Sequence, residues 1–250
     1  MDLGPEELRK IYGRDYFHGE EYDNYVAEKE SLQRNFQRRI KTIQKIIGLK
    51  NIQKVHEIGC AYGYFGEQLL KSSTASYIGY DISHEAVKVG KESLGLDLRE
   101  EDYSLFSKDQ ATDVFIWDVI EHLNDPGEYL KKVHENLTKD GRVYITTGDI
   151  ERRLPRWQKQ NWRMIHPPTH LHYFSKRTLT ELLEKHGFKV IHCSYPSISR
   201  SVHQIFYSLF MLKKKPGKFR KWMHRTLPKK WKVSINTFDI LFMVAIKRNE

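Results

Sequence analysis

Residues 55–66, VHEIGCAYGYFG, place a carboxylate and three glycines at Glu-x-Gly-x-x-x-Gly-x-x-Gly spacing: Glu57, Gly59, Gly63 and Gly66. A short apolar run ends at the acid, and helix-like sequence follows the glycines. Glycine permits backbone conformations and close approaches that a Cβ blocks. A turn leading into a helix also presents backbone N–H groups and a positive dipole end to a ligand. The stretch is a candidate cofactor turn, or else only a tight strand-to-helix connection. Its spacing differs from the Gly-x-Gly-x-x-Gly of dinucleotide binders, and Glu57 would repel a pyrophosphate. Three further acids close apolar runs: Asp81 in SYIGYDIS, Asp102 in LREEDYS and Asp118 in DVFIWDVIEHL. An acid after the second strand can accept both hydroxyls of a ribose. Asp102 can accept an exocyclic amine of adenine, and Glu57 suits a cationic group reached through water.

A second set of reactive side chains falls in HPPTHLHYF, with His166, His170 and His172. Histidine can take a proton near neutral pH. His170, then His166, are therefore the candidate general bases, with Tyr173 as a positioning group. The plainer alternative is that these histidines only pack a loop or orient its backbone. The His-x-x-x-His-x-His array could also ligate a metal, but paired prolines interrupt it and no helix fixes its ligands on one face. No metal is assigned.

The elements that must position these groups alternate between strand and helix. Leu32, Phe36, Ile40, Ile43 and Ile47 recur every three or four residues and predict an amphipathic helix over 31–47, ended by Gly48. Strands are expected at 54–59, 76–81, 96–100, 112–118, 141–147, 189–194 and 238–247, and helices near 64–72, 84–94, 125–137 and 176–186. Ser83 and Ser175 are helix caps, Pro126 sits in a first turn, and Lys139-Asp140-Gly141 reads as a turn. Such alternation implies an α/β fold, a mostly parallel Rossmann-like sheet with helices on both faces. Ligands then bind beyond the carboxyl ends of the strands. Residues 1–50 are expected to form an N-terminal helical cap and 51–250 the main domain. Two long insertions follow the fifth and sixth strands: a lid at 149–174 and a basic insertion at 197–237.

Charge is concentrated in one place. With 42 Lys/Arg against 32 Asp/Glu the chain carries +10, and 213–232 alone holds ten Lys/Arg and no acid. The remainder is neutral on balance. Apolar SVHQIFYSLFML precedes this run, and Trp222 and Trp231 lie within it, which suits anionic lipid headgroups. Nucleic-acid phosphates are a weaker alternative, and a solvated basic surface the plain one. Two cysteines, Cys60 and Cys193, are too few for a disulfide framework, so a cytoplasmic location is expected, with possible contact to a membrane surface through 201–232. MDLGPEELRK lacks the apolar stretch of a signal peptide, and no run reaches the roughly 18 apolar residues of a membrane span.

Taken together, the glycine turn preceded by Glu57, the acids on successive strand ends and DVFIWDVIEHL-NDP resemble class I S-adenosylmethionine-dependent methyltransferases. GRVYITTGD and HPPTHLHYFSKRTLTELLEKHGF extend the resemblance over about residues 50–195. The subgroup includes ubiquinone-biosynthesis O-methyltransferases and bacterial glycan- and lipid-modifying enzymes. The resemblance implies a seven-stranded sheet whose last strand is antiparallel, with S-adenosylmethionine as cofactor. It implies a cofactor pocket formed by Glu57, Gly59, Cys60, Ala61, Tyr62, Gly63, Asp81, Ile82, Asp102, Trp117, Asp118, Val119 and His122. The implied acceptor is a small molecule, glycan, lipid-linked sugar or quinone. Some quinone-pathway relatives use a divalent ion at the acidic motif matching Asp118, Glu121 and His122, a second metal option. The alternatives are an RNA methyltransferase and a catalytically silent interaction module of the same fold.

Overall fold

The computed structural model describes residues 28–103, 110–167, 169–210, 217–228 and 231–248. Residues 1–27 of the expected N-terminal cap, with Lys213–Lys215, Lys229 and Lys230 of the basic run, lie outside the described residues. The first helix, α1 (Lys29–Ile46), buries Phe36, Ile40 and Ile43, the face its periodicity predicts. Gly48, at φ +81°, ends it.

Seven strands form one sheet: β1 (Lys54–Ile58), β2 (Ser76–Asp81), β3 (Leu98–Glu100), β4 (Ala111–Trp117), β5 (Leu137–Gly148), β6 (Phe188–Ser194) and, after a two-stranded insertion, β9 (Ile240–Lys247). Their spatial order is β3-β2-β1-β4-β5-β9-β6. The pairs from β3 through β5 are parallel, and β9 runs antiparallel to both β5 and β6. All seven expected strands are present, with the last reversed as the resemblance implied.

Strand alternation divides the core in two. On β4, Phe115 and Trp117 pack on one face with Phe36, Ile40 and Ile43 of α1 and with Phe65 and Leu69 of α2 (Tyr64–Leu70). Ala86 and Val87 of α3 (His84–Leu94) complete that layer. Val114 and Ile116 face the other way, against α4 (Pro126–Asn136) and α6 (Lys176–Lys185) through Leu130, Val133, Leu179 and Leu183. At the amino end of β4 the fully buried Asp113 accepts two bonds from Arg142, at 2.7 and 2.9 Å, and one from the Tyr144 hydroxyl at 2.8 Å. Breaking that pair would leave an uncompensated charge in the core.

One local expectation needs correction. The helix ends at Asn136, and β5 already starts at Leu137, so residues 139–141 are not a turn before the strand. Instead Asp140 takes φ +61° inside it, where the pairing register shifts between Ala111 and Asp113. The insertions also carry elements that the pattern does not announce. The first contains α5 (Arg153–Gln158). The second is closed at its base by β7 (Ile198–Ser201) and β8 (Lys232–Ile235), an antiparallel pair, and contains α7 (Val202–Phe210) and α8 (Lys218–Thr226). Asn35 of α1 ties this insertion to the main body, accepting from Ser199 N–H at 2.7 Å and donating to its carbonyl at 3.1 Å.

Candidate cofactor edge and histidine lid

The turn from β1 into α2 is held on two sides. Gly59 has φ +70°, and a Cβ there would stand 2.3 Å from Val119 Cγ2, so only glycine allows the turn to seat against the end of β4. The Gly59 and Cys60 N–H groups both donate to the Tyr80 carbonyl, at 2.8 and 3.1 Å. Ala61, at φ +47°, sits in a conformation that costs a non-glycine residue about 1–3 kcal/mol unless its surroundings impose it. Its N–H donates to Asp81 Oδ2 at 2.8 Å, while Ser83 N–H donates to Oδ1 at 2.9 Å. Burial pushes the Asp81 carboxyl up, and the amides of Ser83, Ala61 and Ile82 pull it back. Each carboxylate oxygen has a second lone pair, so Asp81 keeps acceptor capacity for hydroxyl groups of a ligand.

Glu57 lies beneath that turn. It is 2% exposed and accepts a hydrogen bond from the Tyr77 hydroxyl. Register explains the contact, because Glu57 pairs with Gly79, two residues beyond Tyr77 on the same face of β2. A Cβ on Gly79 would come within 2.8 Å of the Tyr77 oxygen. Burial raises the Glu57 carboxyl to about 8, against the pull of the Tyr77 bond. The side chain therefore braces the turn from the core. Cys60 is buried too, and burial with the Asp81 and Glu57 carboxyls beside it raises its thiol well above the ordinary range. Tyr62 stacks on Tyr64 at 5.8 Å between centroids, and Ile82 is half-buried after Asp81.

At the end of β4, Asp118 has φ +56°, and its N–H donates to the Thr146 carbonyl at 3.0 Å. Arg39 of α1 reaches it at 3.3 Å and lies 4.8 Å from the centre of the Trp117 ring. Trp117 itself is buried among Phe65, Phe36 and Phe242. Asp102 accepts from the Tyr129 hydroxyl of α4. The sheet order thus sets Glu57, Asp81, Asp102 and Asp118 at one edge of four adjacent strands. Sequence spacing does not reveal Arg39, which arrives 79 residues before its partner Asp118.

The lid is fixed by residue 121. Leu171 and His172 N–H groups both donate to the Glu121 carbonyl, at 2.9 and 3.0 Å. Thr169, 6% exposed, then sets two imidazoles. Its hydroxyl donates to the His166 carbonyl at 2.8 Å, so the same oxygen must accept from His166 Nδ1, also at 2.8 Å. Its carbonyl accepts from His122 Nδ1 at 2.8 Å. Both rings are held as Nδ1–H tautomers, with the lone pair on Nε2. Burial lowers His122 to about 4, and burial with His122 and His166 nearby lowers His170 to about 3. His170 is 5% exposed and meets His122 edge-on at 4.5 Å. His166 is half-buried, and Tyr173 is 36% exposed at the lid surface. One ligand atom from each of Glu121, His122 and His170 lies within 4.8 Å of the others. A metal could be held by that set, which combines one member of the lid array with two of the acidic motif.

Comparison with known proteins places these features in a family. Residues 25–193 match the family model described as a methyltransferase domain. A ubiquinone biosynthesis O-methyltransferase from Pelagibacter ubique (strain HTCC1062) is 32% identical over 105 residues, which are 40% of this chain and 43% of that protein. The chain thus matches less than half the length of that relative. A magnesium protoporphyrin IX methyltransferase from Synechocystis PCC 6803, solved with bound SAH, superposes with a TM-score of 0.61 at 11% identity over 97% of this chain and 99% of that one. A SAM-dependent methyltransferase from Archaeoglobus fulgidus gives 0.60 at 16% identity over 89% and 99%. At such identities the two structures show a shared fold.

Two outcomes test this geometry. Folded Glu57 titrates at about 8 and an ordinary glutamate at about 4.5. Its protonated form therefore stabilises the fold fully below pH 4.5, and that contribution is lost as pH rises through 8. Glu57→Gln, which stays neutral, should gain on the wild type as pH rises from 5 to 8.5, by at least about 3 °C in thermal midpoint, the shift for ~1 kcal/mol in a domain of this size. Parallel melting curves would contradict the assignment. Nitrogen-15 shifts of the imidazoles should report Nδ1–H for both His166 and His122. Thr169→Val should release His166 alone toward the Nε2–H form, because His122 is held by a backbone carbonyl; a wild-type His166 already in the Nε2–H form would overturn this.

Proposed function

The chain belongs to the family of methyltransferase domains, and on that premise we propose that it moves a methyl group from S-adenosylmethionine to an oxygen of a small-molecule, glycan, lipid-linked or quinone-type acceptor. The observation that carries this reading is the Asp81 latch. One carboxylate orders the glycine turn through Ala61 and still has lone pairs for a ribose diol. When bound, S-adenosylmethionine supplies a methyl group already activated by its sulfonium. The protein's tasks are then positioning, exclusion of water and handling of one proton.

The donor set fits that cofactor. The edge is acidic, which favours a sulfonium and disfavours a pyrophosphate. Asp81 takes the ribose, and Asp102, oriented by Tyr129, takes the adenine amine. Arg39, with a side chain 10% exposed, offers a guanidinium for the carboxylate of the amino-acid moiety. The backbone of Gly59, Cys60, Ala61, Tyr62 and Gly63 forms the floor, with Ile82, Val119 and His122 as walls and Trp117 behind. For the proton, a base works best when its pKa is near the operating pH. His170, lowered to about 3, is a weak acceptor, and its place is to wall the site with His122. His166 Nε2, aimed by Thr169, is the stronger candidate, and Tyr173 positions the acceptor at the mouth. The name of the Pelagibacter relative supports oxygen as the methylated atom.

The second insertion supports a place at a membrane surface, on the cytoplasmic side. On α8, Phe219 and Trp222 are 69% and 60% exposed and stack at 6.0 Å, flanked by exposed Lys218 and Arg220. Trp231 is 69% exposed. No described helix is long and apolar enough to cross a membrane. Aromatic tips among cations suit the headgroup layer of anionic lipids.

Calorimetry with S-adenosylhomocysteine should give micromolar binding, the usual range for enzyme ligands, lost in Asp81→Ala; equal affinity in that variant would sink the cofactor assignment. Vesicles containing phosphatidylglycerol should sediment the protein, and Trp222→Ser with Trp231→Ser should release it. Undiminished sedimentation of the variant would argue against the membrane reading.

A further inference from the structure

A second cleft, of about 530 Å³, opens beside the lid between α5 and the first turn of α6. It lies on the same edge of the sheet as the cofactor turn. Asp149, in its wall, directly follows the last residue of β5, and Ile150 N–H donates to the Phe174 carbonyl at 2.9 Å. That bond joins the cleft to the end of the histidine loop. Ligands of open α/β sheets enter at this edge.

Four cations line the cleft: Arg152, Arg156, Lys176 and Arg177. Two of them are already engaged. Arg177 bonds Glu181 at 3.1 Å and lies 3.7 Å from Glu151. Arg152 stacks 4.4 Å from the centre of the Tyr195 ring and donates to the Phe238 carbonyl at 3.0 Å. The buried Asp149 is occupied by the Tyr195 hydroxyl at 2.6 Å and by Glu151 N–H at 3.0 Å. Arg156 and Lys176 have no acidic partner among the described residues. Moreover, the first turn of α6 contains no acid and begins with Lys176 and Arg177. Cations there oppose the helix dipole, whose positive end normally attracts carboxylates. The lining holds these four cations and three carboxylates, Asp149, Glu151 and Glu181, and so carries one net positive charge. Arg156 and Lys176, both exposed and outside the pairs that Glu151 and Glu181 make with Arg177, are the side chains placed to meet an anion there.

We propose that this cleft binds a phosphate or pyrophosphate group carried by the methyl acceptor. The inference rests on the methyltransferase reading above and narrows it. The acceptor is a sugar phosphate or a lipid-linked phosphate, not a neutral quinone. The arginine fork and the lysine point charge together suit phosphate oxygens. The methylated oxygen then lies on the part of the acceptor that reaches from the cleft to the His166 side of the lid.

The test is calorimetry at fixed ionic strength with inorganic pyrophosphate and, separately, geranyl pyrophosphate. The wild type should bind pyrophosphate saturably, and Arg156→Gln with Lys176→Gln should weaken it at least tenfold. The charge-preserving pair Arg156→Lys and Lys176→Arg should restore it. Tighter binding of geranyl pyrophosphate assigns a lipid-linked phosphate, and equal affinity for the two probes assigns a phosphate carried without a lipid tail. Binding of S-adenosylhomocysteine, measured on the same variants, should stay unchanged, which separates failure of this cleft from failure of the cofactor assignment. No saturable pyrophosphate binding by the wild type, or the same affinity in the Gln variant, overturns the proposal.

Discussion

The hydrogen bond from Ala61 N–H to Asp81 is the contact on which the site depends. It joins the end of β2 to the glycine turn after β1 and holds Ala61 at a positive φ that it would not otherwise adopt. Val119 closes the opposite side of the turn, against Gly59. With both sides held, the start of α2 points its N–H groups at a fixed place. Removing the Asp81 carboxylate would release the Ala61 N–H and loosen the turn, and under the proposed cofactor assignment it would also remove an acceptor for the ribose.

The parallel sheet supplies everything else that must converge there. Because β3, β2, β1 and β4 are neighbours running in one direction, acids that are 16 to 24 residues apart in sequence finish at one edge. Their surroundings then differentiate them. Glu57 is buried beneath the turn with Tyr77 and titrates far above an ordinary glutamate. Asp118 remains 40% exposed at its side chain and meets Arg39. Asp102 is oriented by a tyrosine from α4. Four carboxyl groups of similar chemistry thus stand in different environments, set by burial and partners alone.

Much of this is legible in the sequence, because it is written in short-range patterns. Apolar runs ending in an acid located the strand ends, and the serine caps located the starts of α3 and α6. Parts that rest on distant contacts were not legible. Arg39 belongs to an amphipathic helix whose polar face looks solvated in sequence, yet it is buried against Trp117. Thr169 sits unremarked in HPPTHLHYF, and only the fold brings its carbonyl to His122, 47 residues away. The pairing of β7 with β8 spans an insertion of about thirty residues, and neither strand is long enough to announce itself. Asp140 misled for a different reason. Lys-Asp-Gly is turn chemistry, and here the positive φ was used inside a strand.

The lid shows how a modest residue can organise more conspicuous ones. Thr169 orients His166 through its side chain and His122 through its backbone, so one position sets the direction of two lone pairs. A crystal structure of the chain soaked with S-adenosylhomocysteine tests the role of Asp81 most directly. Both ribose hydroxyls should lie within hydrogen-bond distance of the Asp81 carboxylate, with the Ala61 bond intact. A nucleoside bound elsewhere, or an Asp81 bonded only to backbone while the ligand is present, would contradict that role.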